Sequence, residues 1–217
     1  MQRMILNFYK SAFSRKYGET WYSSTIRGLV LSAIKNERFY EEKEKDKAYY
    51  VIRKLHEESW DPYELIIETQ IGLVLILCQT YITKVISQVS LFYQDYEWAF
   101  GKKPKRIDSS KQSLLANYGP KLRDTTYHSI EVIDALANYF KHHEEWGGNR
   151  SSSRMKERTA TIVSDVGGDL NLTLWYSRNL SKCIKKLGVN SMKDLYVLPK
   201  IVDEWKVDVG KAIEELK

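Results

Sequence analysis

Apolar residues recur every three or four positions along most of the chain, which is the spacing that places side chains on one face of an α-helix. The pattern is most regular over residues 127–146, where an apolar stripe runs beside a polar one. Asp124 or Thr125 is suited to cap the start of this helix, and two glycines follow its end. We therefore expect the rest of the fold to be organised around it.

The polar stripe of this helix contains the residues that are the main candidates for a functional site. Glu131, Asp134, Asn138, His142 and Glu145 follow one another at helical spacing, so Asn138 and His142 lie one turn apart. A carboxylate beside a histidine raises the histidine pKa and orients its ring, which makes Asp134 and Glu145 the candidate orienting residues. The alternative interpretation is a solvated helix face with a local ion pair.

The same periodicity predicts a series of further helices. A run of apolar residues at 71–78 is too short to span a bilayer and has polar flanks, so we expect a central helix that is buried on all sides. The N-terminal helix is amphipathic, with Ile5, Phe8, Tyr9, Ala12 and Phe13 on one face, and we expect this face to pack on the core rather than on a membrane. The predicted segments are 3–16, a helix from residue 20 into the charged stretch 35–50, 63–100, 111–117, 127–146, an ambiguous 159–166, 170–187, 191–197 and, after Pro199, 201–216.

Composition makes the chain a globular, helical one. Its 217 residues are 43% hydrophobic and 29% charged, and only four prolines and eleven glycines interrupt them. The predicted fold class is an all-α, single-domain helical bundle. Its parts are N-terminal helices over 1–60, long core helices over 61–146 and C-terminal helices over 159–217, with breaks at 101–120 and 147–158.

The net charge and the aromatic content indicate the class of partner, and the cysteines and the N-terminus indicate the expected location in the cell. A net charge of +6 with 15 tyrosines and six tryptophans suits RNA or an acidic protein. We expect Cys78 and Cys183 to be buried free thiols, and the N-terminus has no secretory pattern, so the expected location is the cytoplasm. Basic residues of the two breaks could contact phosphates or simply face solvent. The candidate RNA-binding residues are Lys102, Lys103, Lys105, Arg106, Arg150, Arg154 and Arg158.

The segment ANYFKH, from Ala137 to His142, resembles the signature of the HEPN superfamily, a group of helical domains in prokaryotic toxins, defence systems and RNA-processing proteins. The family pattern is an arginine, often followed by asparagine, and then a histidine. Asn138 and His142 match the pattern, whereas the arginine position holds Ala137. In active members the resemblance implies a metal-independent ribonuclease, usually assembled across a dimer. The histidine moves a proton during attack by the RNA 2′-hydroxyl, and the arginine stabilises the phosphorane charge.

Alanine cannot stabilise that charge, and losing one such group costs on the order of a hundred- to a thousandfold in rate. The resemblance therefore implies a non-catalytic RNA-binding or protein-interaction component of a bacterial defence or toxin–antitoxin system, expected to be a homodimer without a cofactor. The first alternative is a ribonuclease that uses His142 and Asn138 with a cation from Arg123, Arg150 or Arg154.

Two further alternatives remain. One is a purely structural interaction protein. The other is a metal site, because a histidine precedes a glutamate by three residues at His128 and again at His142. Di-metal bundles use the opposite order on two different helices.

Overall fold

The computed structural model describes residues 2–14, 21–45, 62–102, 108–142, 154–169 and 178–215. These residues form eight α-helices and one 3-10 helix without a β-strand, which confirms the predicted all-α fold class. The elements are α1 (Gln2–Ser14), α2 (Trp21–Glu44), α3 (Pro62–Phe100), α4 (Lys111–Asn117), α5 (Ser129–His142), α6 (Arg154–Asp165), α7 (Asn179–Lys186), the 3-10 helix (Met192–Tyr196) and α8 (Val197–Glu214).

The long helix α3 is the centre of the fold and packs against α1, α2, α5, α7 and α8. Its side chains at 71, 74, 75, 78 and 82 are buried, but Leu73 is 40% exposed. The prediction that this helix is buried on all sides is therefore wrong at Leu73. Over Leu65–Phe100 this helix is long and apolar enough to cross a membrane, and 61% of its most apolar window is buried inside the protein, as in a core helix.

Helices α3 and α5 run antiparallel and approach closely. Gly72 of α3 lies against Phe140 of α5, so close that a Cβ atom at Gly72 would stand 2.3 Å from the Phe140 ring. Two turns later on α3, the side-chain amide nitrogen of Gln79 lies 3.2 Å from the backbone carbonyl oxygen of Asp134. Glycine is required at residue 72 because any side chain there would fill the space that the ring occupies.

The start of α5 is held by Glu131 rather than by the predicted caps. The Glu131 carboxylate accepts the backbone N–H of His128 at 2.9 Å, in the manner of a capping-box glutamate. Thr125 Oγ1 instead accepts the N–H of Tyr127 before the helix begins, and Asp124 adopts a left-handed conformation with φ of 59°. The helix consequently begins two residues later than the sequence pattern predicted.

The C-terminal part departs from the prediction at two places. Residues 154–158 belong to α6 rather than to a break, so the predicted break 147–158 is wrong from residue 154 onward, and the ambiguous segment 159–166 is helical as far as Asp165. Pro199 does not separate two helices, because it lies in the first turn of α8, where its missing N–H would have no intrahelical partner. Residues 170–177 of the predicted helix 170–187 lie outside the described residues.

The N-terminal helix α1 packs on the core against α3 and α8. Tyr9 and Phe13 are buried as predicted, whereas Phe8, which was expected on the same face, is 67% exposed. Cys78 and Cys183 are buried free thiols, also as predicted, and burial raises the pKa of both.

Candidate functional site

The polar stripe of α5 is largely inside the protein. Glu131 and Asp134 are both buried, so the interpretation of this stripe as a solvated face is wrong at these two positions. They are covered because α5 packs between α3 and α6. Each buried carboxylate pairs with a cationic side chain that is itself exposed: Arg158 for Glu131 and Lys111 for Asp134. The stripe therefore forms ion pairs at the edge of the bundle that join α5 to its neighbours.

Asp134 is the centre of a hydrogen-bonded group that we call the Asp134 cluster, made of Gln79, Lys111, Asp134 and Asn138. Lys111 Nζ lies 2.7 Å from Asp134 Oδ1, and Gln79 Nε2 donates to the same oxygen at 2.8 Å. Gln79 Nε2 also donates to Asn138 Oδ1 at 2.9 Å, and Asn138 Nδ2 donates to Asp134 Oδ2 at 3.4 Å. Both polar atoms of the Asn138 side chain thus bond within the cluster.

The cluster makes Asn138 a structural residue, and stability measurements can test this. Asn138→Ala is expected to lower the free energy of unfolding by about 1 kcal/mol, the usual size for a lost intramolecular hydrogen bond. His142→Ala, at the exposed end of α5, is the matched control and is expected to change it by less than about 0.5 kcal/mol. Urea unfolding of both variants measures the difference. Equal effects, or a larger effect at His142, would contradict the assignment.

Glu131 joins α5 to α6. Its carboxylate pairs with the Arg158 guanidinium as well as accepting the His128 N–H. Four residues earlier in the chain, the Tyr127 hydroxyl donates to Asp165 at 2.7 Å, and this hydrogen bond raises the pKa of Tyr127 to about 12. The two contacts fix α6 antiparallel to α5, with Arg158 beside the first turn of α5.

The His128–Glu131 pair does not resemble a metal site. His128 Nδ1 lies 2.8 Å from the carbonyl of Gly119, so this nitrogen carries the proton and donates it to the carbonyl oxygen. Glu131 is occupied by Arg158 and by a backbone N–H. Within the described part of the chain, no group of three or more His, Cys, Asp and Glu side chains is placed to hold a metal ion.

The structure separates two of the predicted site residues, His142 and Arg158. His142 is exposed at the end of α5, whereas Arg158 is bonded to Glu131, which lies about 16 Å earlier along the helix axis. Arg154 is the first residue of α6, and Lys102 is exposed just beyond α3. The predicted site residues Lys103, Lys105, Arg106, Glu145 and Arg150 lie outside the described residues.

Two residues of the Asp134 cluster were not among the predicted site residues. Gln79 gave a faint signal, since it is a polar residue directly after the apolar run 71–78. Lys111 gave none, because one lysine at the start of a short helix ordinarily faces solvent.

Comparison of the chain with protein-family models, with curated proteins and with solved structures finds no match.

Proposed function

We propose that this chain is a HEPN-like helical protein that binds RNA without cleaving it, as a component of a bacterial defence or toxin–antitoxin system. The observation that carries the proposal is the environment of the three motif positions. Ala137 is fully buried, Asn138 is bonded within the Asp134 cluster, and His142 is exposed at the end of α5. An acidic protein is the alternative partner for the same exposed end.

The absence of cleavage follows from the chemistry that the motif would need. Stabilising a phosphorane requires a cation that is already in place beside the reacting phosphate. The position that corresponds to the family's arginine holds the methyl group of Ala137, which faces the core. Of the candidate cations, Arg123 lies six residues before α5 begins, at the opposite end of that helix from His142. Arg158 at that same end is paired with Glu131.

RNA is favoured as the partner because of the charge near His142. Lys141 and His142 are both exposed in the last turn of α5, and the chain that follows, from residue 147 to 156, contains two arginines and one lysine. The net charge of +6 adds a long-range attraction for polyanions. The expected homodimer would meet near this same end, since residues 129–137 of α5 are buried within one protomer.

The proposal is tested by measuring cleavage and binding of single-stranded RNA in excess EDTA. We expect no cleavage by wild type or by His142→Ala. We expect a Lys141→Ala/His142→Ala variant to bind several-fold more weakly and to lower the salt dependence of the affinity by about one phosphate contact. Lys200→Ala, which removes an exposed lysine of α8, is the control and should bind like wild type.

Each other outcome has a defined meaning. Cleavage by wild type that disappears in His142→Ala would replace the proposal with the ribonuclease alternative. RNA binding that is unchanged in Lys141→Ala/His142→Ala would move the RNA surface away from the end of α5. A complete lack of RNA binding would contradict the proposal and leave the protein-interaction alternative.

A further inference from the structure

The solvent side of α7 carries only positive charge. Lys182, Lys185 and Lys186 are exposed, and they share one side of the helix because Lys182 is three residues from Lys185 and four from Lys186. Leu180 and Ile184, on the opposite side, are buried in the core. We call the three exposed lysines the α7 lysine face.

Acidic side chains do not neutralise the α7 lysine face. No aspartate or glutamate occurs from residue 170 to residue 193, although the whole chain has 28 of them. Within the part of the chain that the structure describes, none of the three lysines forms an ion pair. The Glu68 carboxylate attracts Lys182 electrostatically, but it is buried and accepts hydrogen bonds from Leu180 and Ser181. The face therefore presents a net positive charge to solvent.

A nucleic acid is the polyanion that this face fits. Like charges three and four residues apart on a helix repel each other, and a bound row of phosphates would relieve that repulsion and release counterions. An anionic membrane is disfavoured because an interfacial helix inserts its apolar side into the lipid, whereas Leu180 and Ile184 are packed in the core. An acidic protein is disfavoured because lysine is depleted in protein interfaces, and α7 exposes no large apolar side chain.

The α7 lysine face lies beside the end of α5 that the proposed function uses. Asn179, the first residue of α7, donates a hydrogen bond from Nδ2 to the Tyr139 hydroxyl of α5 at 2.7 Å. Tyr139 stands three residues before His142, and Asn179 stands three residues before Lys182. Because three residues advance a helix by only about 4.5 Å, one RNA strand can contact both surfaces.

We propose that the α7 lysine face is a phosphate-contacting surface for RNA, which extends the contacts of Lys141 and His142 at the end of α5. This assignment rests on the proposed function, because it concerns the same RNA. Phosphate contacts carry no sequence information, so the face contributes affinity without sequence preference. Its contribution must also weaken steeply as the salt concentration rises.

The test compares wild type with Lys182→Gln/Lys185→Gln/Lys186→Gln in titrations of single-stranded polyuridylate and polyadenylate over a range of salt concentrations. We expect the variant to bind both RNAs at least about tenfold more weakly at low salt. The slope of log affinity against log salt should fall by about two, because each phosphate contact on a single strand contributes about 0.7. The loss should be the same factor for both RNAs.

A matched control separates contacts on α7 from the effect of net charge. Lys121→Gln/Lys200→Gln/Lys211→Gln removes the same charge from exposed lysines outside α7 and should bind like wild type. Circular dichroism checks the fold of both variants. If the α7 variant does not fold, the single variant Lys185→Gln decides by a fall in the salt slope of about 0.7.

The outcomes distinguish this assignment from the proposed function. RNA binding by wild type that the α7 variant and the control retain equally would overturn the assignment and leave the proposed function intact. A loss confined to one of the two RNAs would overturn the assignment to phosphate contacts. No RNA binding by wild type would overturn the proposed function, and the assignment with it. Binding to phosphatidylserine vesicles in place of RNA would instead make α7 a membrane-contacting surface.

Discussion

Glu68→Ala is expected to lower the free energy of unfolding by about 3 kcal/mol, because it leaves one buried and one partly buried N–H group without an acceptor. Glu68 is 1% exposed and accepts the backbone N–H groups of Leu180 and Ser181 at 2.8 and 2.9 Å, as well as the Ser181 hydroxyl. These donors belong to the first turn of α7. Residue 178, at the N-cap, is left-handed and makes no side-chain capping bond. The Glu68 carboxylate, which belongs to α3, therefore caps the N-terminus of α7.

The dependence of the free energy of unfolding on pH tests the same contact independently. Burial raises the pKa of Glu68 in the folded protein, although the hydrogen bonds from Ser181 and Leu180 oppose that rise. The folded state therefore binds a proton more tightly than the unfolded state does. The contribution of Glu68 to the free energy of unfolding must then fall as the pH rises from its ordinary pKa through the raised one.

Glu68→Gln is the matched control for that titration, since it keeps the shape of the side chain and cannot ionise. Urea unfolding of wild type and Glu68→Gln is compared from about pH 4 to about pH 8, so that the other carboxylates cancel in the difference. We expect wild type to lose stability relative to the variant as the pH rises. A difference that is constant across this range would show that burial does not shift the pKa of Glu68.

Gly72→Ala is expected to lower the free energy of unfolding by about 2 kcal/mol, within the range for overpacking a core. The added methyl group would overlap the Phe140 ring, which a Cβ atom would approach to 2.3 Å. Alanine is ordinarily better than glycine inside a helix by about 1 kcal/mol, so the expected sign is the reverse of the usual one. Denaturant unfolding monitored by circular dichroism measures the change.

Two further variants isolate the cause of this destabilisation. Gly28→Ala, within α2, meets nothing within 4 Å and should raise the free energy of unfolding by up to about 1 kcal/mol. In a Phe140→Ala background the clash at residue 72 is gone, so Gly72→Ala should cost much less than in wild type. An equal cost in both backgrounds would show that α3 and α5 do not approach at these residues.

The helices were predictable where local chemistry decides them. The helix 63–100 was predicted correctly because proline opens it and apolar residues recur along it. Both ends of the helix 111–117 were also predicted correctly. Pro199 misled the prediction, because the sequence alone does not show whether a proline ends one helix or lies in the first turn of the next.

The candidate site was harder to predict because its partners come from distant parts of the chain. Periodicity assigns a charged residue to the outer face, which fails for Glu131 and Asp134. Their neutralising groups, Arg158 and Lys111, come from other helices. Gln79 approaches Asp134 from 55 residues earlier in the chain. Such pairings depend on how the helices pack, and no local pattern encodes them.

The docking of α1 on α8 also has a consequence for the timing of biosynthesis. Phe13 of α1 packs against Gly210 of α8 so closely that a Cβ atom at Gly210 would come within 2.8 Å of the Phe13 methylene. During translation, however, α1 leaves the ribosome long before α8 has been made. Until α8 arrives, the apolar face of α1 has only part of its final packing surface. The nascent chain must therefore carry Phe13 incompletely covered until α8 has been made, and we expect chaperones to be able to contact it during that time.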